Sequence, residues 1–342
     1  MKECIQLVLI LAVLTIASGC ESSEDERRET KNIENIEAVS VFQKDISSEV
    51  AEVGALTANG AGTIYLTAPN LYKLMVFSSE GELVNMTGEQ GQGPGEFEYG
   101  PQFVEHHDNK LYVGEATRKR SVSVFDEDLS FLKTIDIPQN IGSLNFSFMN
   151  GETIFPVMEM EVDREQGETY VSTRLRVLDE DTQEFTPFLE LKDQEELGRL
   201  WRNIGVLRSH GDVAVFAYSF RNVIEVINTS PRSESHITVE LPIEDKPEIE
   251  VETLATMRSE IPSGSVIGGL AIDNGHVFVK GGSVTDELKQ TVFVLNQSGE
   301  LVGTIDLGAP GSAFYVRDGY IYYVTEDAVL TKLRYDTEAL DA

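Results

Sequence analysis

Short apolar stretches that alternate with polar positions recur along residues 36–342, and the spacing almost never settles into the 3.6-residue period of a helix. The stretches are separated by pairs drawn largely from Asn, Asp and Gly. These residues tolerate the positive φ of a two-residue hairpin turn, whose twist matches the strands on either side. The pattern therefore predicts an all-β protein.

One unit repeats: an apolar strand, a tight turn, a second strand of β-branched and aromatic residues, a polar loop, a third strand, a turn and a fourth strand. Its first turns read Asn59-Gly60, Asp108-Asn109, Asn150-Gly151, His210-Gly211, Asn274-Gly275 and Asp318-Gly319, which makes six units spaced 42 to 64 residues apart. That is the spacing of β-propeller blades. Second strands are expected at residues 63–67 (TIYLT), 111–114 (LYVG), 153–157 (TIFPV), 213–217 (VAVFA), 276–280 (HVFVK) and 320–324 (YIYYV). Third strands follow at 74–77, 122–125, 175–178, 223–227, 292–295 and 329–333.

The sixth unit has only three strands before the chain ends, whereas residues 36–43 (IEAVSVFQ) form an unassigned strand near the other end. Pairing the two would close the ring and cover an exposed sheet edge. The expected fold is an all-β, six-bladed β-propeller with four-stranded antiparallel blades, the last closed by the N-terminal strand.

Ahead of the repeats, Lys2 precedes an apolar run over 5–16 that is too short to span a bilayer as a helix and suits a signal-peptide core. The following Ala17-Ser18-Gly19-Cys20 resembles the bacterial lipobox, with Ala17 where that pattern usually has leucine. The resemblance implies cleavage before Cys20 and acylation of its thiol. Residues 21–35 are charged and nearly free of apolar groups, so they read as a tether. The expected organisation is 1–19 lipoprotein signal peptide, 20–35 acylated cysteine and flexible tether, and 36–342 propeller. Ser23-Glu24-Asp25-Glu26 resembles an acidic export signal that some Gram-negative lineages use to send lipoproteins to the surface. The expected location is the bacterial cell envelope, as an outer-membrane lipoprotein facing the periplasm or the exterior and touching the membrane through its lipid.

The chain has two cysteines, Cys4 and Cys20, so residues 36–342 hold neither a disulfide nor a thiolate metal site. The formal net charge of −31 repels nucleic-acid phosphates and argues against a nucleic-acid partner. A monomer is expected.

The connection Gly91-Gln92-Gly93-Pro94-Gly95-Glu96-Phe97, followed by Pro101-Gln102-Phe103, resembles the G-x-GPG-x-F signature of NHL-repeat propellers. Residues 111–116 (LYVGEA) and Val124-Phe125-Asp126 continue that likeness. The resemblance implies a six-bladed propeller lipoprotein related to NHL repeats, with strong motifs in blades one and two only. Where NHL loops often carry arginine before the third strand, this chain has Lys73, Ser121 and Thr291, so a shared ligand does not follow. The glycines also have a structural reading: Gly88, Gly91, Gly93 and Gly95 let the connection turn tightly while Pro94 stiffens it.

In a propeller, second-to-third strand loops and blade-to-blade connections emerge on one face. The longest connections here, residues 161–172, 191–203 and 242–263, fall on that face and make it the candidate site. Its loops gather Lys73, Arg118, Lys119, Arg120, Arg164, Arg199, Arg202, Arg221, Lys246, Arg258 and Lys289. Such a basic mouth would suit a carboxylate, an acidic glycan or an acidic partner segment. Equally, each charge can simply be solvated, and Glu115, Asp163 and Glu165 dilute the group. Trp201, the only tryptophan, lies in a stretch (EELGRLWRN) that reads as one or two helical turns packed on this face, and residues 248–258 read as a second short helix.

Catalytic signatures are weak. His106 and His107 sit beside a first turn on the opposite face, but neighbouring strand residues point to opposite sides of the sheet. His210, His236 and His276 are scattered, Ser263-Gly264-Ser265 supplies only fragments of a nucleophile motif, and neither CxxC nor HExxH occurs. The leading expectation is a binding or scaffold module for a protein or glycan ligand, with no catalytic residue, cofactor or metal assigned. The alternative is a propeller hydrolase or lyase with Ca²⁺ or Zn²⁺ held in the channel. A purely structural envelope component is the third, and it predicts a channel plugged by aromatic side chains.

Overall fold

The computed structural model describes residues 34–115, 121–137, 145–163, 168–180, 182, 184–194, 200–230, 234–244 and 264–340. Within them, six sheets follow one another along the chain, each with a core of antiparallel strands in up-and-down order, and the N-terminal segment adds strands to the fifth and sixth. They are the six blades. The innermost strands, one per blade, are Leu56–Ala58, Pro101–His107, Ser147–Met149, Gly205–His210, Ile267–Asp273 and Gly311–Arg317.

Each blade is apolar on both faces and buries them against its neighbours. Six hydrophobic clusters result, one at each interface between consecutive blades, including the one between the last blade and the first. Phe146, Phe155 and Tyr112, for example, interlock blades two and three, with ring centroids 5.1 Å apart for Phe146–Phe155 and 6.3 Å for Tyr112–Phe146.

The N-terminal strand closes the ring as the pattern predicts. Ala38–Asp45 pairs antiparallel with Val329–Tyr335 as the outer strand of blade six. One further contact was not foreseen: Glu34–Asn35 runs parallel to Leu301–Asp306, the outer strand of blade five. Ile36 explains it. Its side chain is buried between blades five and six, and Gly303 leaves the room, since a Cβ there would lie 2.6 Å from Ile36 Cδ1.

Four first turns are the expected two-residue kind, with positive φ at both central residues of Asp108-Asn109, Asn150-Gly151, Asn274-Gly275 and Asp318-Gly319. Two differ. In blade four the central pair is Gly211-Asp212, because His210 still pairs with Val213. In blade one the loop runs from Asn59 to Thr63, held by the Asn59 side chain, whose Oδ1 accepts from the amides of Ala61 and Thr63 at 3.0 Å each. That side-chain-capped loop replaces the two-residue turn.

Blade three corrects a second expectation. The sequence suggests a long loop over 161–172, but the blade's middle strands extend into it as a hairpin, Glu152–Asp163 against Glu168–Asp179, paired as far as Asp163↔Glu168. The alternation in Val157-Met158-Glu159-Met160-Glu161-Val162-Asp163 is the period of a strand, and it continues past the blade body. A short helix, Asp286–Gln290, also stands where a plain loop was expected, capped by the Thr285 hydroxyl accepting from Leu288 N at 3.1 Å.

Candidate functional site

The two-residue turns put the inner strands in a common register. The residue three places before the turn is Glu105 in blade two, Ser147 in blade three, Arg208 in blade four, Ala271 in blade five and Tyr315 in blade six. All five line one cavity of about 420 Å³ at the first-turn mouth of the axial channel, together with His106, His107, Phe148, Ser209, His210 and Arg317. Five blades thus converge on one concave surface.

The cavity is charged at its inner end. Glu105 is buried, and burial pushes its carboxyl above the usual range, with Arg208 and Arg317 pulling in the other direction. Arg208 Nε and Glu105 Oε2 face each other at 3.8 Å, too far for a hydrogen bond, and among the described residues neither atom has a hydrogen-bond partner. The arginine is held otherwise: Nη1 donates to Leu207 O at 2.9 Å, and the guanidinium lies 5.2 Å from the centroid of the Phe103 ring. Arg317 comes from blade six, donates to Ala58 O at 3.3 Å and faces the carboxylate of Asp318 at 3.4 Å. Burial raises the Tyr315 phenol, and the charge of Glu105 adds to the effect.

The walls are fixed by bonds between blades. Ser209 Oγ donates to Phe148 O at 2.6 Å and its amide donates to Ser147 Oγ at 2.8 Å. Deeper in, Asn145 clasps the same strand, donating to Gly205 O at 2.8 Å and accepting from Leu207 N at 3.0 Å. Between blades five and six the buried Asp273 accepts from Asp318 N and Gly319 N at 2.9 Å and from Tyr335 Oη at 2.7 Å. The two adjacent histidines turn to different neighbours. His106 stacks on Tyr65 and meets Glu127 at 2.8 Å, whereas His107 stacks on Phe148 with centroids 4.1 Å apart. Burial lowers the affinity of both rings for a proton.

At the opposite mouth, on the long-connection face, a cavity of about 250 Å³ is rimmed by Gly54, Gly205, Gly268 and Gly269, with Gln102, Asn145 and Ser312. Arg208 lines both cavities and so stands between them.

The basic residues expected on that face do not converge on the axis where they are described. Lys73 donates to Gly88 O within blade one. Arg221 is buried, pairs with Asp193 at 2.5 Å and lies 4.7 Å over the Tyr218 ring. Arg202 is buried in the short 3-10 turn Leu200–Asn203, which also carries the Trp201 backbone. Lys289 pairs with Glu326 at 2.7 Å and Asp286 at 3.6 Å. Cys20, the signal segment, Arg118, Lys119, Arg120, Arg164, Arg199, Lys246, Arg258 and the helix expected at 248–258 lie outside the described residues.

The glycine-rich connection is a packing device. Gly93 N donates to the Glu96 carboxylate at 2.8 Å and Gly91 N to Phe97 O at 3.1 Å, which drives Phe97 into the core between blades one and two. Gly88 is required there: its φ is +94°, and a Cβ would lie 2.5 Å from the Phe97 ring.

Six antiparallel blades of four strands, the fifth extended by the short parallel strand Glu34–Asn35, define the molecule as a six-bladed β-propeller. The chain belongs to the family described as "6-bladed beta-propeller", whose pattern it matches over residues 45–261. No curated protein matches it in sequence. Similar solved structures include virginiamycin B lyase from Staphylococcus aureus, at 9% identity and a TM-score of 0.54, covering 88% of this chain and 99% of the lyase. Another is a Bacteroides fragilis protein described as exported, at 13% identity and a TM-score of 0.56, covering 89% of this chain and 95% of that one. At such identities the likeness is one of fold.

Proposed function

We propose that this protein is a ligand-binding module of the bacterial cell envelope, tethered through an acylated Cys20 and taking its ligand at the first-turn mouth of the axial channel. The observation that carries the reading is the cavity of about 420 Å³ on which the inner strands of five blades converge, with Arg208, Arg317 and the stacked His107–Phe148 pair in its wall. Concave sites with a few convergent polar groups are where small ligands bind. The charged interior also argues against a channel plugged by aromatic side chains. The lyase neighbour's activity rests on its own residues and does not transfer with the fold.

Two experiments test the proposal. Metabolic labelling with a fatty acid should mark the wild-type chain and leave Cys20→Ser unlabelled; label on both, or on neither, removes the anchor. Thermal-shift screening of the full chain against a broad small-molecule library, with and without chelator, should return stabilising compounds whose effect is lost in His107→Ala and survives chelation. Silence across the library, or hits untouched by that substitution, would refute the channel-mouth site.

A further inference from the structure

With 58 aspartates and glutamates against 27 lysines and arginines, this chain is rich in acceptors, and a buried lysine should find one readily. Among the described residues two lysines are buried. Lys280 donates to Gly281 O at 3.1 Å. Lys332, on the third strand of blade six, is 7% exposed, and among the described residues its ammonium has neither a hydrogen bond nor an ion pair. Aromatic rings surround it instead, with Nζ 4.3 Å from the centroid of the Tyr320 ring and 5.3 Å from that of Tyr322. The rings attract the charge without supplying the lone pairs that its N–H groups take.

A second donor beside it is in the same state. Tyr322 is 2% exposed, and its phenol has no acceptor among the described residues. Burial pushes that phenol well above its ordinary pKa, so it keeps its proton and remains a donor. The two tips meet over the first-turn loop of blade one. Gly62 stands there at φ +80°, and a Cβ on it would lie 3.5 Å from Lys332 Nζ and 3.7 Å from Tyr322 Oη. Glycine leaves that space open as the floor of a crevice between blades six and one. Unlike Arg208 Nε and Glu105 Oε2, neither tip is enclosed, so both reach the surface of the crevice.

Two convergent donors with no acceptor have a definite complement, which is a pair of oxygens carrying negative charge. Water supplies a lone pair but not the charge that a desolvated ammonium lacks. The surroundings set the size of that charge. Glu80 acts on Lys332 and Asp318 on Tyr322, and with a net charge of −31 the protein resists a dianion more than a monoanion. Arg317 offsets part of this, its Nη2 lying 4.0 Å from the Cβ position of Gly60 in the same loop.

We infer that the crevice between blades six and one at the first-turn face binds a small carboxylate, whose oxygens accept from Lys332 Nζ and Tyr322 Oη. Binding is reversible, with no bond made or broken. The site is separate from the channel cavity, whose wall includes neither Lys332, Tyr322 nor Gly62, so its failure would leave the channel-mouth reading untouched.

The test is a titration of the full chain with acetate, its neutral isostere acetamide, and inorganic phosphate, followed through the NMR shifts of the Gly60 and Gly62 amides. Acetate should move both peaks saturably, and at least about tenfold more tightly than acetamide, as a hydrogen bond to a charged group implies. Lys332→Met, which keeps the alkyl chain against the tyrosines, should lose at least about tenfold for acetate. Tyr322→Phe should lose about threefold or more. A crystal soaked in acetate gives a reading independent of any variant, with the carboxylate expected between Nζ and Oη. Acetamide matching acetate, phosphate binding more tightly than acetate, acetate binding unchanged in Lys332→Met, or soaked crystals holding only water over Gly62 would each overturn the inference.

Discussion

The two mouths of the axial channel are built from opposite ends of the same six strands, yet they are organised differently. At the first-turn mouth the loops are mostly two residues long, and the chemistry comes from the strands themselves: Glu105, Arg208 and Tyr315 stand at one register position in three blades. At the other mouth the connections are long and the rim is glycine. Its described charged side chains are spent on holding those connections down. Glu225, fully buried, accepts from Lys192 N at 2.8 Å, Asp193 N at 2.9 Å and Tyr218 Oη at 2.5 Å, and meets His236 as well. Arg221 holds Asp193 from the other side. Loop length thus differs between the two mouths, while register marks where side chains converge.

If Glu225 is a clamp for the long-connection mouth, removing it should have the largest effect on stability. Glu225→Ala strands several buried donors at once and should cost roughly 3–5 kcal/mol in chemical denaturation. It should leave ligand binding at the first-turn mouth intact in whatever fraction stays folded. A cost below about 1 kcal/mol would deny the clamp.

Lys280 has the opposite sign. It is buried near the long-connection end with Gly281 O as hydrogen-bond acceptor at 3.1 Å, and burial pushes its ammonium from 10.5 down to about 8. Between those values the unfolded chain holds the proton and the folded chain does not, so stability rises as pH climbs through that window. Below it the buried charge is a burden, and Lys280→Met should stabilise the protein at pH 7 by up to about 3 kcal/mol and flatten the alkaline rise.

At the first-turn mouth Glu105 gives a pH signature of its own. Its folded-state pKa lies above the ordinary 4.5, so its contribution to stability is fully present below that pH and is lost as pH rises toward the raised value. Melting temperatures followed upward from pH 4 should fall more in the wild type than in Glu105→Gln; parallel curves would contradict the buried, proton-favouring carboxyl. Ser209→Ala, which loosens blade three from blade four, should show the smallest effect, about 1 kcal/mol.

The architecture could be read from the chain because a propeller blade is local: a period of two, a turn and the next strand all lie within one repeat. Blade closure was legible for the same reason, since 36–43 had strand character and no other place to go. The Glu34–Asn35 contact was not, because it depends on Ile36 finding the space left by Gly303, some 270 residues away. The site was harder still. Glu105, Arg208 and Arg317 each look like an ordinary polar position at a strand end, and the ring closure that unites them is invisible to any single window. The register itself was misleading in blade four: counted back from the expected turn His210-Gly211 it gives Leu207, and Arg208 falls into line with Glu105, Ala271 and Tyr315 only because the turn is Gly211-Asp212.

Hydrogen–deuterium exchange of the full chain, with and without a compound that shifts its melting temperature, separates the two mouths most directly. Slowed exchange at residues 147–149 and 208–211, with 200–203 and 219–222 unchanged, is the result expected for a ligand seated at the first-turn mouth. Protection confined to 200–203 and 219–222 would place the ligand at the long-connection mouth and contradict the account.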